Sequence, residues 1–172
     1  MKIATDPTAD GTRDGAGDGA GGPDDLLRLE HQVCFALHSA SRAFGAVYRE
    51  ALRDLELTYP QYLAMLTLWE HGELPVKRMG ELLRLDSGTL SPLLKRLEAA
   101  ELVRRERSAA DERSVIVRPT AAGAALRLRA RDVPRRIAAS TGLDPQDLRS
   151  LHVMLLNLTE RLDSSVGSAA GE

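Results

Sequence analysis

Apolar residues recur at alternating steps of three and four along the first patterned stretch of the chain: Leu26, Leu29, Val33, Leu37, Ala40, Phe44, Val47 and Ala51. That spacing gathers them on one stripe of an amphipathic helix. Asp24 and Asp25 suit its cap, so the pattern predicts a helix of about 30 residues, long for a globular domain. In "LELTYPQYLAMLTLWEHGEL" Pro60 fits a first helical turn, Leu63, Leu66 and Leu68 with Trp69 form the side to be buried, and Gly72 ends the element. The following "VKRMGELLRLDSGTLSPLLKRLEAAELV" splits at "LDSG", where Asp86 or Ser87 caps a new helix with Leu90, Leu93, Leu94 and Leu97 inward. Pro92 is tolerable there only near the helix start. Two short helices joined by a tight turn read as a helix-turn-helix. "LVRRER" and "RSVIVR" then alternate as two short strands around a polar turn, which makes a winged helix. Thr120 caps a further helix disturbed at Pro134. A last helix opens at Asp144 and Pro145, with Asp147 in its first turn and Leu148, Leu151, Leu155, Leu158 and Leu162 as its buried stripe. The fold class is therefore mainly α, with a small β-hairpin wing.

Composition sharpens the boundaries. Residues 1–23 are Gly- and Asp-rich, have little to bury, and are expected to be a disordered tail; residues 164–172 read as a flexible C-terminus. The region 24–163 is the structured domain, with 55–119 as its DNA-binding lobe. The chain of 172 residues carries a net charge of −2, so bulk charge does not announce nucleic acid. The charge is uneven, however: residues 1–25 hold two basic side chains against six acidic ones, which leaves the remainder net positive. A single cysteine suits a reducing compartment, and no apolar run approaches the roughly 18 residues that span a bilayer, so a cytoplasmic protein without a membrane partner is expected. His31, His71 and His152 show no ligand spacing with Cys34 and there is no phosphate-binding glycine loop, so neither a metal site nor a cofactor is expected.

The segment from "LTYPQYLAML" through "DERSVIVRPTAAG" resembles the MarR family of winged-helix repressors: "DERSV" is similar to that family's wing and "PTAAG" to the start of its next helix. Upstream, "LEHQVCFALHSASR" resembles the organic-hydroperoxide-sensing OhrR branch, in its one-Cys type. The resemblance covers about residues 30–162. It implies a homodimer joined through helices in 24–54 and 120–163, a pseudo-palindromic double-stranded operator, and a repressor, not an enzyme, that leaves DNA when Cys34 is oxidised by an organic hydroperoxide. It also implies that Tyr48 and Tyr59 donate hydrogen bonds to the sulfur. Relatives often carry a tyrosine where this chain has His38.

The residues carry their own readings beside this one. Ser87, Gly88, Thr89 and Ser91 are small or short hydrogen-bonding groups at a helix start, suited to base edges, while Lys95 and Arg96 suit phosphates; the same residues also describe a capped, solvated surface helix. Arg113 at the wing suits a narrow minor groove with Asp111 bracing it, or is half of an exposed ion pair. Arg104, Arg105 and Arg107 are plainer phosphate candidates. Cys34 is either a small core hydrophobe or a sensor thiol. His38, four residues on, is a same-face neighbour. Tyr48 lies 14 residues along the same predicted helix, roughly 21 Å away, so the chain's own Tyr48 cannot reach the sulfur, while a partner's Tyr48 on an antiparallel first helix could, a shared site that the resemblance also implies; interface packing is the alternative for Tyr48 and Tyr59. Phe35, Val47, Leu63 and Leu66 are expected to wall the site. With no second cysteine, an oxidised Cys34 requires a low-molecular-weight thiol for a mixed disulfide, or further oxidation. The competing function is a MarR-type repressor relieved by a small aromatic ligand, with Cys34 inert.

Overall fold

Two short 3-10 turns, Asp25–Leu27 and Leu29–His31, stand where the periodicity predicts the first turns of the long helix. The α-helix α1 begins only at Val33 and runs to Ala51, 19 residues. The computed structural model describes residues 25–108, 111 and 114–169; Asp24 as a cap and the 1–23 tail lie outside the described residues. The helix is shortened because Arg28 and Gln32 take extended backbone angles, ψ 133° and 108°. The side chains of His31 and Gln32 reach back to the carbonyls of Asp25 and Leu26. Such local side-chain bonds offer the backbone an alternative to the helix ladder.

The described chain divides into two units, the first ending at Ala40 and the second beginning at Ser41, with the boundary inside α1. The second unit holds the winged helix. After a 3-10 turn at Arg53–Leu55 come α2 (Tyr59–His71), β1 (Leu74–Pro75), α3 (Val76–Leu83), α4 (Ser87–Ala99), β2 (Val103–Arg107), β3 (Val115–Pro119), α5 (Ala121–Ala130), α6 (Val133–Ser140) and α7 (Pro145–Ala169). The expected hairpin is thus the larger part of a three-stranded antiparallel sheet, order β1-β3-β2. Leu74 pairs with Val117, and Arg105 with Val117 from the other side. A two-residue strand is too short to show alternation, so β1 has no signature in the sequence. α2 begins with Thr58, whose N–H donates to Gln61 Oε1 at 2.8 Å, half of a capping box. It ends at Gly72, where φ of 78° suits a residue without a side chain.

Leu52, Met65, Leu68, Met79, Leu90, Leu94, Leu97, Val103 and Val117 form the fully buried centre. The four leucines expected inward on α4 are all buried. Leu66 is not: it is exposed, on the far side of α2. Pro92 sits inside α4, with its side chain outward. The disturbance near Pro134 is a break, with Arg131 and Asp132 between α5 and α6.

At the junction of wing and body the chain approaches itself closely. The Thr120 hydroxyl donates to the Glu101 carbonyl and accepts from the Gly123 N–H. The Trp69 indole donates to the Gly123 carbonyl at 2.8 Å. A Cβ on Gly123 would lie 2.0 Å from the Leu102 carbonyl oxygen.

α7 departs furthest from expectation. The Asp144 carboxylate caps it, accepting from the Gln146 and Asp147 N–H groups. Its stripe, however, is not buried: Leu148, Leu151 and Leu158 are half-buried, while Leu155 and Leu162 are exposed along with Val153, Met154 and Leu156. Beside it an open groove is lined by Phe44, Leu148, Leu151, His152 and Leu155. The stripe has the helical period but meets no complementary apolar face within one chain. An exposed ion pair, Arg84 to Asp163 at 2.5 Å, ties α7 to the turn between α3 and α4.

Gly123→Ala is expected to destabilise the fold by about 3 kcal/mol, because rigid backbone rather than a flexible side chain obstructs the new methyl. Urea unfolding of the two proteins measures it.

Candidate DNA interface and cysteine site

α4 is pinned from behind by Leu90, Leu93, Leu94 and Leu97 and turns its opposite side to solvent. Asp86 is its N-cap: Oδ1 accepts from the Thr89 N–H at 2.8 Å, and Oδ2 from the Thr89 hydroxyl at 3.3 Å. Gly88 fits closely over this cap, since a Cβ there would lie 3.1 Å from Asp86 Oδ1. Ser87, Gly88, Thr89, Lys95 and Arg96 are exposed on α4 and Ser91 is half-buried. Lys95 and Arg96 make no ion pair among the described residues. The six residues therefore share one helix, with the short polar groups at its start and the cations in its later turns. Asp111 is exposed on the turn between β2 and β3, where its carbonyl accepts from the Ser114 N–H at 2.9 Å. Arg113 lies outside the described residues.

Arg105 requires a correction. Its Nε and Nη2 donate to Glu98 Oε2 at 3.0 and 2.5 Å, and its backbone N–H to Glu98 Oε1 at 3.1 Å. The guanidinium is held against α4 rather than offered to phosphates. Hydrogen bonding from Arg105 holds the Glu98 carboxyl below the usual carboxylate range, outweighing its partial burial. Arg104 makes an exposed pair with Glu106 at 3.3 Å. Sequence reasoning passed over Glu98; its only signal is an acid seven residues ahead of Arg105, across the turn into the wing.

In the first unit Cys34 is a free, exposed cysteine on α1, one turn ahead of an exposed His38. Their neighbours Val33, Phe35 and Leu37 are exposed as well. No hydrogen bond joins Cys34 to His38 among the described residues. Core filler is excluded within the single chain, because the thiol is not buried.

In the second unit the phenol rings of Tyr48 and Tyr59 lie tilted against each other at 39°, centroids 4.3 Å apart, and Tyr62 lies 6.2 Å from Tyr48. These are all three tyrosines of the chain. Tyr62 also meets Trp69 edge-on at 6.2 Å. Sequence reasoning missed Tyr62, although it sits one helical turn from Tyr59. Burial, then the neighbouring Tyr59 and Tyr62, raise the Tyr48 phenol above its ordinary value; burial and Tyr59 do the same for Tyr62. Both stay neutral O–H donors at physiological pH. Beside them an open groove of about 400 Å³ is lined by Tyr62, Leu66, Trp69 and Pro134 together with Glu70, Arg127 and Arg131. Among the described residues no cluster suits a metal ion and no helix is long and apolar enough to cross a membrane.

Comparison with known proteins gives a consistent set of likenesses. Residues 46–126 match the family described as transcriptional regulator SarA/Rot. The chain is 48% identical over 138 residues to the organic hydroperoxide resistance transcriptional regulator of Bacillus subtilis, covering 80% of this chain and 94% of that one. Among solved structures it is similar to overoxidized AbfR bound to DNA, with TM-score 0.67, 33% identity and coverage of 81% of this chain and 98% of that one. Reduced AbfR bound to DNA gives TM-score 0.65 and 34% identity, covering 81% and 96%. AbfR is a protein of Staphylococcus epidermidis.

In a spectrophotometric titration at least two of the three phenols are expected to ionise above the ordinary value of 10.0. Tyr48→Phe and Tyr62→Phe should each remove one of them. Because the fold favours the neutral phenols, their contribution to stability is present below the ordinary phenol pKa and is lost as pH rises through the raised values.

Proposed function

The chain belongs to the MarR family of winged-helix transcriptional regulators, in the branch of organic hydroperoxide resistance regulators, and from that premise we propose that it is a repressor released from its operator by oxidation of Cys34. The observation that carries this reading is a lone cysteine, exposed on a helix flanked by exposed apolar residues, in a chain close to a hydroperoxide resistance regulator. In this reading two copies join through α1 and α7, whose apolar residues a single chain leaves uncovered. The dimer presents two α4 helices about 34 Å apart to successive major grooves of a pseudo-palindromic duplex. Ser87, Gly88, Thr89 and Ser91 face base edges, Lys95 and Arg96 face phosphates, and Asp111 with Arg113 serves the wing in the minor groove.

The sensor step is a two-electron oxidation. The Cys34 thiolate attacks the distal oxygen of an organic hydroperoxide, ROOH. The S–O bond forms as the O–O bond breaks, and the alkoxide leaves and takes a proton as ROH. Cys34 becomes a sulfenic acid. The partner's Tyr48 and Tyr59 donate O–H groups to the sulfur, with His38 nearby; the raised Tyr48 phenol, which keeps its proton, suits that task. A low-molecular-weight thiol then condenses with the sulfenic acid, releasing water and leaving a mixed disulfide. The added bulk disturbs the dimer helices and the spacing of the two α4 helices.

The groove beside Tyr62, mostly apolar and lined by two cations, Arg127 and Arg131, against one acid, Glu70, supports a second reading: a small aromatic acid as inducer, with Cys34 inert. A mobility-shift titration separates the two. With cumene hydroperoxide and a thiol, wild type is expected to leave a duplex it has selected from a random library, while Cys34→Ser stays bound. Equal behaviour of the two proteins contradicts the redox reading. Tyr48→Phe is expected to slow Cys34 oxidation about tenfold, the effect of losing one hydrogen bond worth about 1.4 kcal/mol to a charged sulfur.

A further inference from the structure

The passage from α4 into the wing turns on a single left-handed residue. Glu101 has φ of 57°, and the Leu102 N–H closes back on the Leu97 carbonyl at 3.0 Å. β2 follows at once and is an edge strand, paired only with β3. Apolar burial of Leu97 and Val103 holds the two elements together, but burial is non-directional and does not fix an angle. The Leu97–Leu102 and Thr120–Glu101 bonds fix the base of the turn; further out, the directional link between the α4 side chains and β2 is Glu98 to Arg105. One carboxylate receives three donors from one residue: two from the planar guanidinium and one from the backbone N–H on the open edge of β2. Such a fork is satisfied in one orientation.

We infer that Glu98 is a positioning residue for DNA binding, which sets the wing at one angle to α4 by clamping Arg105 and keeps that guanidinium off the phosphates. The inference rests on the reading that α4 and the wing engage one duplex. Glu98 touches no nucleotide in this arrangement; it determines where the wing meets the minor groove once α4 is seated in the major groove. Loss of the clamp leaves α4 contacts in place, loosens the wing and frees one cation.

The test is hydroxyl-radical footprinting and a salt titration on a duplex that the full-length wild-type protein selects from a random-sequence library. With Glu98→Gln, protection under α4 is expected to persist while protection at the flanking wing positions fades or spreads. The slope of log K against log salt is expected to steepen by about 1.8, one additional phosphate contact made by the freed Arg105 of each of the two copies. Arg105→Lys keeps the charge but loses the fork, so it should show the same selective loss at the wing; it decides the question if Glu98→Gln does not fold. Footprints identical to wild type, or a uniform fading of all protections, would overturn the inference and leave Glu98 a stability residue only. Failure of wild type to select any duplex would instead overturn the DNA reading itself, and this inference with it.

Discussion

The structure depends on one close approach, the seating of Gly123 against the Leu102 carbonyl with no room for a side chain between them. Three segments converge there. The turn that ends α4 and begins β2 supplies the carbonyl, the residue that follows β3 supplies the Thr120 hydroxyl, and α2 supplies the Trp69 indole. Backbone packed at that distance cannot yield by a rotamer change. The helix-turn-helix, the wing and α5 therefore behave as one body, with Glu98 and Arg105 setting its finer geometry.

Around that rigid body the remaining parts are held lightly. α7 is capped and regular, yet none of residues 145–166 is buried, and its tie to the helix-turn-helix is an exposed ion pair of the kind that contributes little stability. α1 shows Val33, Phe35 and Leu37 to solvent in the first unit and Phe44 in the second. In the proposed reading a second copy of the chain covers these apolar residues, and a stiff reading head joined to its partner through them suits a switch. Chemistry at Cys34 then has no need to deform the winged helix; it needs only to move two such bodies relative to each other.

Much of this was legible in the sequence, and the exceptions have physical reasons. The inward leucines of α4, the Asp86 cap and the strands of the wing follow from periodicity and capping chemistry, which act locally. The early start predicted for α1 failed because His31 and Gln32 direct their side chains to main-chain carbonyls, which apolar spacing does not register. The stripe on α7 has the correct period, but period says which side is apolar, not what covers it. Leu66 illustrates the same limit on α2. Arg105 read as a phosphate ligand because charge in a sequence shows no partner; only the turn at Glu101 brings Glu98 to it. Arg113, the residue on which the minor-groove reading turns, lies outside the described residues.

The central claim is that one sulfur controls DNA occupancy. The most direct measurement follows both quantities in one reaction: DNA release by fluorescence anisotropy, and the mass of intact protein sampled at the same times, after adding cumene hydroperoxide and a thiol. Release should proceed at the rate at which Cys34 acquires the thiol adduct. Release that precedes any change of mass at Cys34, or full modification with the duplex still bound, would contradict it.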